Sequence, residues 1–354
     1  MTWLRNAGAG WQPHRPSAGH SDRVTSDAES IREKEFMRSS KHGIIKALGV
    51  SACAALILSA CGGGSVGKAE SQNKANVAAN GGKACGDVNM ALNDWVGYTA
   101  DAYVVGEIAT KKLGCTMNYK NLAEQLSWAG FKDGSIDAIM ENWGHEDLVK
   151  KYIKQQHVAK TAGLTGNIGQ IGWYVPPWLA KAHPDITNWK NLNKYASKFA
   201  TSESGGKGQL LDGDPSFVTN DEALVTNLHL NYKVVYAGSE AALIQAFRTA
   251  EKNHSWVIGY FYSPQWFLSE VPLVKVNLPK WTPGCDTNLQ KVNCDYPTYH
   301  LDKIVSSKFA QSNSPAYKLI KAFHWTNDDQ NLVAKYIAAD GMTPQAAADK
   351  WIAA

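Results

Sequence analysis

Residues 87–114 read DVNMALNDWVGYTADAYVVGEIATKKLG. The opening DVNMALNDW has the character of a strand. TADAYVVGEIATKKLG is helical, with Tyr103, Ile108 and Leu113 among its apolar positions and Gly114 as its stop. The alternation continues: TMNYKNL predicts a second strand, LAEQLSWAGFKDG a second helix and SIDAIMENW a third strand. Strand and helix in turn predict a parallel sheet covered on both faces.

A second series follows GNIGQIGWYVPPWLAKAHP, in which GWYVP is a strand halted by paired prolines. DEALVTNLHLN is helical, YKVVYAG a strand, SEAALIQAFRTAEKNH an amphipathic helix capped by Ser239, and SWVIGYFY a strand ending at Pro264. From Ser314 onward the chain predicts three helices, with Thr326 and Thr343 as N-caps. Two α/β units in series imply a cleft between them. The expected fold class is α/β and two-lobed, with a ligand between the lobes: residues 85–172 and 277–354 form lobe 1 and 173–276 lobe 2.

The start of the chain reads differently. Residues 1–36 are polar and aperiodic, and are expected to be either a disordered extension or residues upstream of the true start at Met37. From Met37 a basic segment (Arg38, Lys41, Lys46), an apolar stretch from Ala47 to Leu58 and a small-residue end make a secretion signal over 37–60. That stretch is too short for an ordinary membrane-spanning helix. LSAC followed by GGGS resembles the bacterial lipoprotein box, which makes Cys61 the lipid-bearing residue and 61–84 a flexible tether. Acyl chains at roughly 0.8 kcal/mol per buried methylene give a lasting attachment once two or more are present. The expected location is therefore the extracytoplasmic face of the cell membrane, or the periplasm where an outer membrane exists.

The first 60 residues hold 8 of the 36 Lys and Arg and 5 of the 32 Asp and Glu, so the remainder is nearly neutral at 28 against 27. Such a balance gives no footprint for nucleic acid. With Cys53 in the signal and Cys61 lipidated, Cys85, Cys115, Cys285 and Cys294 remain. An even count outside the cell suggests disulfides. Three pairings can be drawn. Cys85–Cys115 with Cys285–Cys294 is preferred, because the first ties one strand to the next and the second closes a short loop. A metal site is the rival, but no CxxC or HxxxH spacing supports one, and no metal or cofactor is expected.

Catalytic signatures are weak: there is no GxSxG, no phosphate loop of the right spacing and no pair of metal-ligand histidines. SESGGKGQ, residues 202–209, reads as a surface loop. His145 and His229 are singletons, although MENWGHED brings Glu141, Glu146 and Asp147 close to His145. A secreted hydrolase built on His145 stays as a rival from another class.

The aromatics carry more information. The chain has 13 Trp against 9 Phe, and its rings recur at the ends of predicted strands, where open α/β sheets bind ligands. Trp95 closes the first strand, Trp143 the third, Trp173 lies in the strand before Pro176, Phe217 follows DGDPS, and Tyr262 closes the strand in VIGYFYSPQWF, residues 257–267. Any one of them could be core; five at equivalent positions argue for a ligand that favours π faces. Within the last stretch Tyr262 is expected to face the ligand, Tyr260 to lie deeper on the same strand face, Phe261 to point away and Trp266 to pack.

From Cys85 onward the chain resembles the substrate-binding proteins of glycine betaine and choline-type ABC importers. The resemblance rests on NDWVGYTADAYVVGEIATKKLG, DGSIDAIMENW, IGYFYSPQWFLSE and NSPAYKLIKAFHWTNDDQ. It implies a type II periplasmic-binding-protein fold, no enzymatic activity, ABC permease subunits as partners, a monomer, and a quaternary ammonium held in a box of aromatic faces. The box positions fall on Trp95, Trp143 and Tyr262, the last a departure from Trp to Tyr in YSPQW. Choline-selective relatives place an acid two residues after the first box Trp, where this chain has Gly97, so a betaine is favoured over choline. Carnitine, ergothioneine or an amino acid on the same fold are the alternatives.

A trimethylammonium has no N–H to donate, so hydrogen-bond acceptors cannot select it, whereas a desolvated π face contributes about 0.5–2 kcal/mol.

Overall fold

The computed structural model describes residues 85–217 and 219–354. The secretion signal, Cys61, the tether and the N-terminal extension lie outside the described residues.

The chain opens with β1 (Asp87–Leu92), α1 (Val96–Leu113), β2 (Thr116–Asn121), α2 (Glu124–Asp133) and β3 (Ala138–Asn142). β1 pairs in parallel with both β2 and β3. Lys111 and Lys112 occupy the last turn of α1, and Gly114 ends it at φ 69°, returning its N–H to the helix carbonyls. Cations at a helix C-terminus and a left-handed glycine after it are the expected stop. Cys85–Cys115 staples the chain before β1 to the residue before β2.

The second series holds β5 (Gly208–Asp212), α3 (Asp221–Asn227), β6 (Tyr232–Tyr236), α4 (Glu240–Asn253) and β7 (Gly259–Ser263). β5 pairs in parallel with β6 and β7. Ser239 caps α4 by accepting from Ala242 N–H.

The two series are joined by strands that the sequence reading cut short or missed. β4 runs from Ala159 to Val175, and β9 from Thr298 to Ser306. The sheet order is β2-β1-β3-β9-β4-β7-β5-β6, and a short β8 (Val274–Lys275) pairs with β4. β9 lies antiparallel to β3, and β4 antiparallel to both β9 and β7, so the sheet is mixed rather than parallel throughout.

Glycines at 163, 166, 169 and 172 hid the first part of β4, since glycine weakens a strand signal. Two of them admit close neighbours: a Cβ on Gly166 would meet the Trp325 carbonyl at 2.3 Å, and one on Gly169 the Trp143 ring at 2.5 Å. β9 was hidden by Asp302 and Lys303. Lys303 is nevertheless fully buried, with its ammonium donating to the Phe323 carbonyl.

The C-terminal helices α5 (Pro315–Ala322), α6 (Asn327–Ala338) and α7 (Pro344–Ile352) follow, with α6 and α7 packed on α1. Thr326 forms a capping box with Asp329, and Thr343 caps α7.

Candidate functional site

A cavity of about 840 Å³ opens where the ends of β1, β3 and β7 converge with the segment 281–300. It lies within the size range of small-molecule sites. Trp95, Trp143, Phe217 and Tyr262 all line it, joined by Tyr260 and Tyr299. Trp173 does not. Its side chain is 1% exposed, and its indole donates to the buried Asp221 carboxylate at 2.8 Å. Tyr296 O–H donates to the same oxygen at 2.6 Å, so Trp173 helps fasten the 281–300 segment from behind.

The rings touch in sequence around the cavity. Trp95 meets Phe217 edge-on at 5.8 Å, Phe217 meets Tyr260 at 6.2 Å, Tyr260 meets Tyr262 at 5.9 Å, and Tyr262 meets Trp143 edge-on at 5.7 Å. Trp143 continues to Tyr299 at 5.7 Å. The circuit closes through a carboxylate: Trp95 Nε1 and Trp143 Nε1 both donate to Glu141 Oε1, at 3.0 and 2.7 Å. Both indole N–H groups are thereby consumed.

Strand geometry places these side chains. Tyr260 and Tyr262 share one face of β7, while Phe261 points to the other, fully buried between Phe247 and Phe267. Trp266 is 4% exposed and does not line the cavity. Tyr262 O–H donates to Glu240 at the start of α4, which also accepts from Gln265 Nε2 at 2.6 Å and from Val96 N–H, the first of α1, at 3.0 Å. Trp95 offers α1 no side-chain cap, so Glu240 satisfies an orphan donor of that helix from the far series. Burial pushes the Glu240 carboxyl above its ordinary value, against the pull of these three donors.

The wall also carries polar groups, among them Glu124, His145, Glu146, Asp147, Lys150 and His300. His145 Nε2 lies 2.7 Å from Glu124 Oε1, both nearly buried. Burial alone would lower the imidazole, but Glu124 and Asp147 outweigh it and hold it above its usual value. The hydroxyls on the wall belong to Thr and Tyr, and among the described residues no Ser or Cys lines it.

The strap 281–300 closes on itself through Cys285–Cys294. It is pinned to the end of α3, where Asn227 Nδ2 donates to the Val292 carbonyl at 2.9 Å. Trp281, Asp286, Thr287 and Leu289 of this strap face the cavity. Both preferred disulfide pairings are thus formed. The sequence reading named Glu141 only as a neighbour of His145 and missed Glu240 and Gln330, whose partners Val96, Asp101 and Glu141 lie more than a hundred residues away.

Two open α/β series joined by shared antiparallel strands, with a cavity where they meet, define a two-lobed, type II solute-binding fold. The sequence profile of the OpuAC family, described as the substrate binding domain of ABC-type glycine betaine transport system, matches residues 86–354. The chain belongs to this family. A trimethylamine N-oxide-binding protein of Pelagibacter ubique is 24% identical over 278 residues, covering 75% of this chain and 86% of that protein. Lactococcal OpuAC in its closed-liganded form with glycine betaine superposes with a TM-score of 0.60 at 20% identity, over 75% of this chain and 95% of that one. A choline binding protein in complex with choline gives 0.61 at 17% identity, over 76% and 88%. Among the described residues no helix is long and apolar enough to cross a membrane.

Proposed function

We propose that this protein is the solute receptor of an ABC importer, capturing glycine betaine or a related quaternary-ammonium solute without transforming it and handing it to the permease. The observation that carries the reading is the closed circuit Trp95, Phe217, Tyr260, Tyr262, Trp143 around one cavity, with both indole N–H groups turned onto Glu141. With the indole donors spent, the tryptophans have only π surface to offer a ligand, which suits a cation that has no N–H of its own.

A betaine is favoured over choline by Gly97. A Cβ there would meet Gln330 Nε2 at 2.7 Å, and Gln330 is held by Glu141, so the acid that choline-selective relatives carry has no room. His145, Lys150 and His300 are the wall groups suited to a carboxylate tail. The four carboxylates Glu124, Glu146, Asp147 and Asp286 on the same wall favour a second reading, a ligand with a net positive charge such as choline.

In this reading residues 85–172 and 277–354 form one lobe and 173–276 the other, and Cys61 carries the lipid that holds a monomeric receptor at the membrane. Calorimetric titration with glycine betaine, proline betaine, carnitine, choline, trimethylamine N-oxide and proline tests it. Saturable one-to-one binding of a methylated ammonium, with proline inert, is expected. No binding across the panel would overturn the proposal.

A further inference from the structure

Glu141 is 1% exposed at the end of β3. Its Oε1 accepts the Trp95 and Trp143 indoles, and its Oε2 accepts Gln330 Nε2 at 2.6 Å. Three N–H donors on two oxygens is the arrangement of an ionised carboxylate, and charge-assisted bonds of this kind are short and directional. Gln330 is itself held by Asn167 Nδ2 at 3.0 Å and donates to Asp101 at 3.2 Å. Asp101 is fully buried, and burial together with the neighbouring Glu141 pushes its carboxyl well above the usual carboxylate range. The nearby cation, Lys303, is engaged by the Phe323 and Lys321 carbonyls.

A negative charge in the planes of two indoles, bonded to their N–H groups, adds to the ring field that a cation feels, and poor screening in the interior strengthens the effect. We propose that Glu141 is a positioning and specificity residue of the ligand site, fixing the rings of Trp95 and Trp143 through one shared oxygen and lending them charge that favours a cationic headgroup over a neutral one of equal shape. This rests on the proposed solute class, which the test separates from the role of Glu141.

The experiment compares wild type with Glu141→Gln on glycine betaine and on tert-butylacetate, in which carbon replaces the quaternary nitrogen. The amide of the variant keeps the shape but must set its own NH₂ against one of the three donors. The indole protons of Trp95 and Trp143 are followed by NMR without ligand. Expected are loss of exchange protection and a shift for at least one indole, and an affinity for glycine betaine lowered about tenfold or more, with tert-butylacetate little changed. Glu141→Asp, which retains the charge, is expected to recover part of the preference, and it carries the comparison if the Gln variant does not fold. Equal losses on the two ligands would overturn the charge role, and unshifted indole protons the positioning role. Failure of wild type to bind any methylated ammonium would sink the proposed function, whereas the indole protons would still decide for or against Glu141.

Discussion

Gly169→Ala presses one methyl group against the aromatic circuit without replacing any of its rings. Its Cβ would stand 2.5, 3.0 and 3.1 Å from Cζ3, Cε3 and Cη2 of Trp143. Carbon pairs rest at about 3.5–4.0 Å, so the six-membered edge must retreat by roughly 1 Å. It cannot do so freely, because Nε1 is bonded to Glu141 at 2.7 Å and Tyr299, the cross-strand partner of Gly169, stands beside the ring. Overpacking of this kind costs about 1–3 kcal/mol. Expressed wholly in the bound state, that is roughly 5- to 150-fold in Kd; the part borne by the free protein lowers the melting temperature by about 2–4 °C per kcal/mol.

Calorimetric titration with glycine betaine beside a melting curve measures both parts. Gly172→Ala is the control, since its Cβ would meet the Lys275 side chain, which does not line the cavity. Expected are at least fivefold weaker binding in Gly169→Ala and near-normal binding in the control. Wild-type affinity in a folded Gly169→Ala protein would refute the assignment of Trp143 to the ligand surface.

Gly97→Asp is expected to weaken glycine betaine binding by displacing Gln330 from Glu141, and not by itself to install choline binding; a gain for choline in the single variant would show that the position is roomier than the 2.7 Å approach implies. Replacing Cys285 and Cys294 by Ser should cost on the order of 2–3 kcal/mol through the freed loop and speed ligand release, read by stopped-flow fluorescence, because the strap forms one wall of the cavity. Burial raises Asp212 to about 6. The folded state therefore holds the proton more tightly than the unfolded chain, and stability should fall as pH rises from about 4 through 6, by on the order of 1–3 kcal/mol. Asp212→Asn should reduce that slope in denaturant melts, the remainder belonging to other buried carboxyls such as Glu240, and an identical slope in the variant would place its origin elsewhere. Cys61→Ala is expected to shift the protein from the membrane to the soluble fraction; continued sedimentation with membranes would argue against the lipid anchor.

Local patterns in this chain were strong enough to be read without coordinates. The helix of residues 96–113 ends at its glycine, α4 starts at Ser239, and α6 and α7 start at their threonines, because caps and apolar periodicity act within a few residues. That Trp95, Trp143 and Tyr262 would meet at a cavity was legible because the strand ends of open sheets converge there. Trp173 has the same local signature as these, yet it sits behind the wall, bonded to Asp221 some fifty residues on. Which aromatic faces a cavity and which packs under it depends on partners brought from other strands, and no period in the sequence encodes that. The same holds for β4, whose glycines look like a loop until Trp143 and Trp325 are seen lying against them. Likewise Glu141 reads as one acid among several in MENWGHED. Only the fold sets one of its oxygens against the N–H groups of two indoles that stand 46 and 2 residues away.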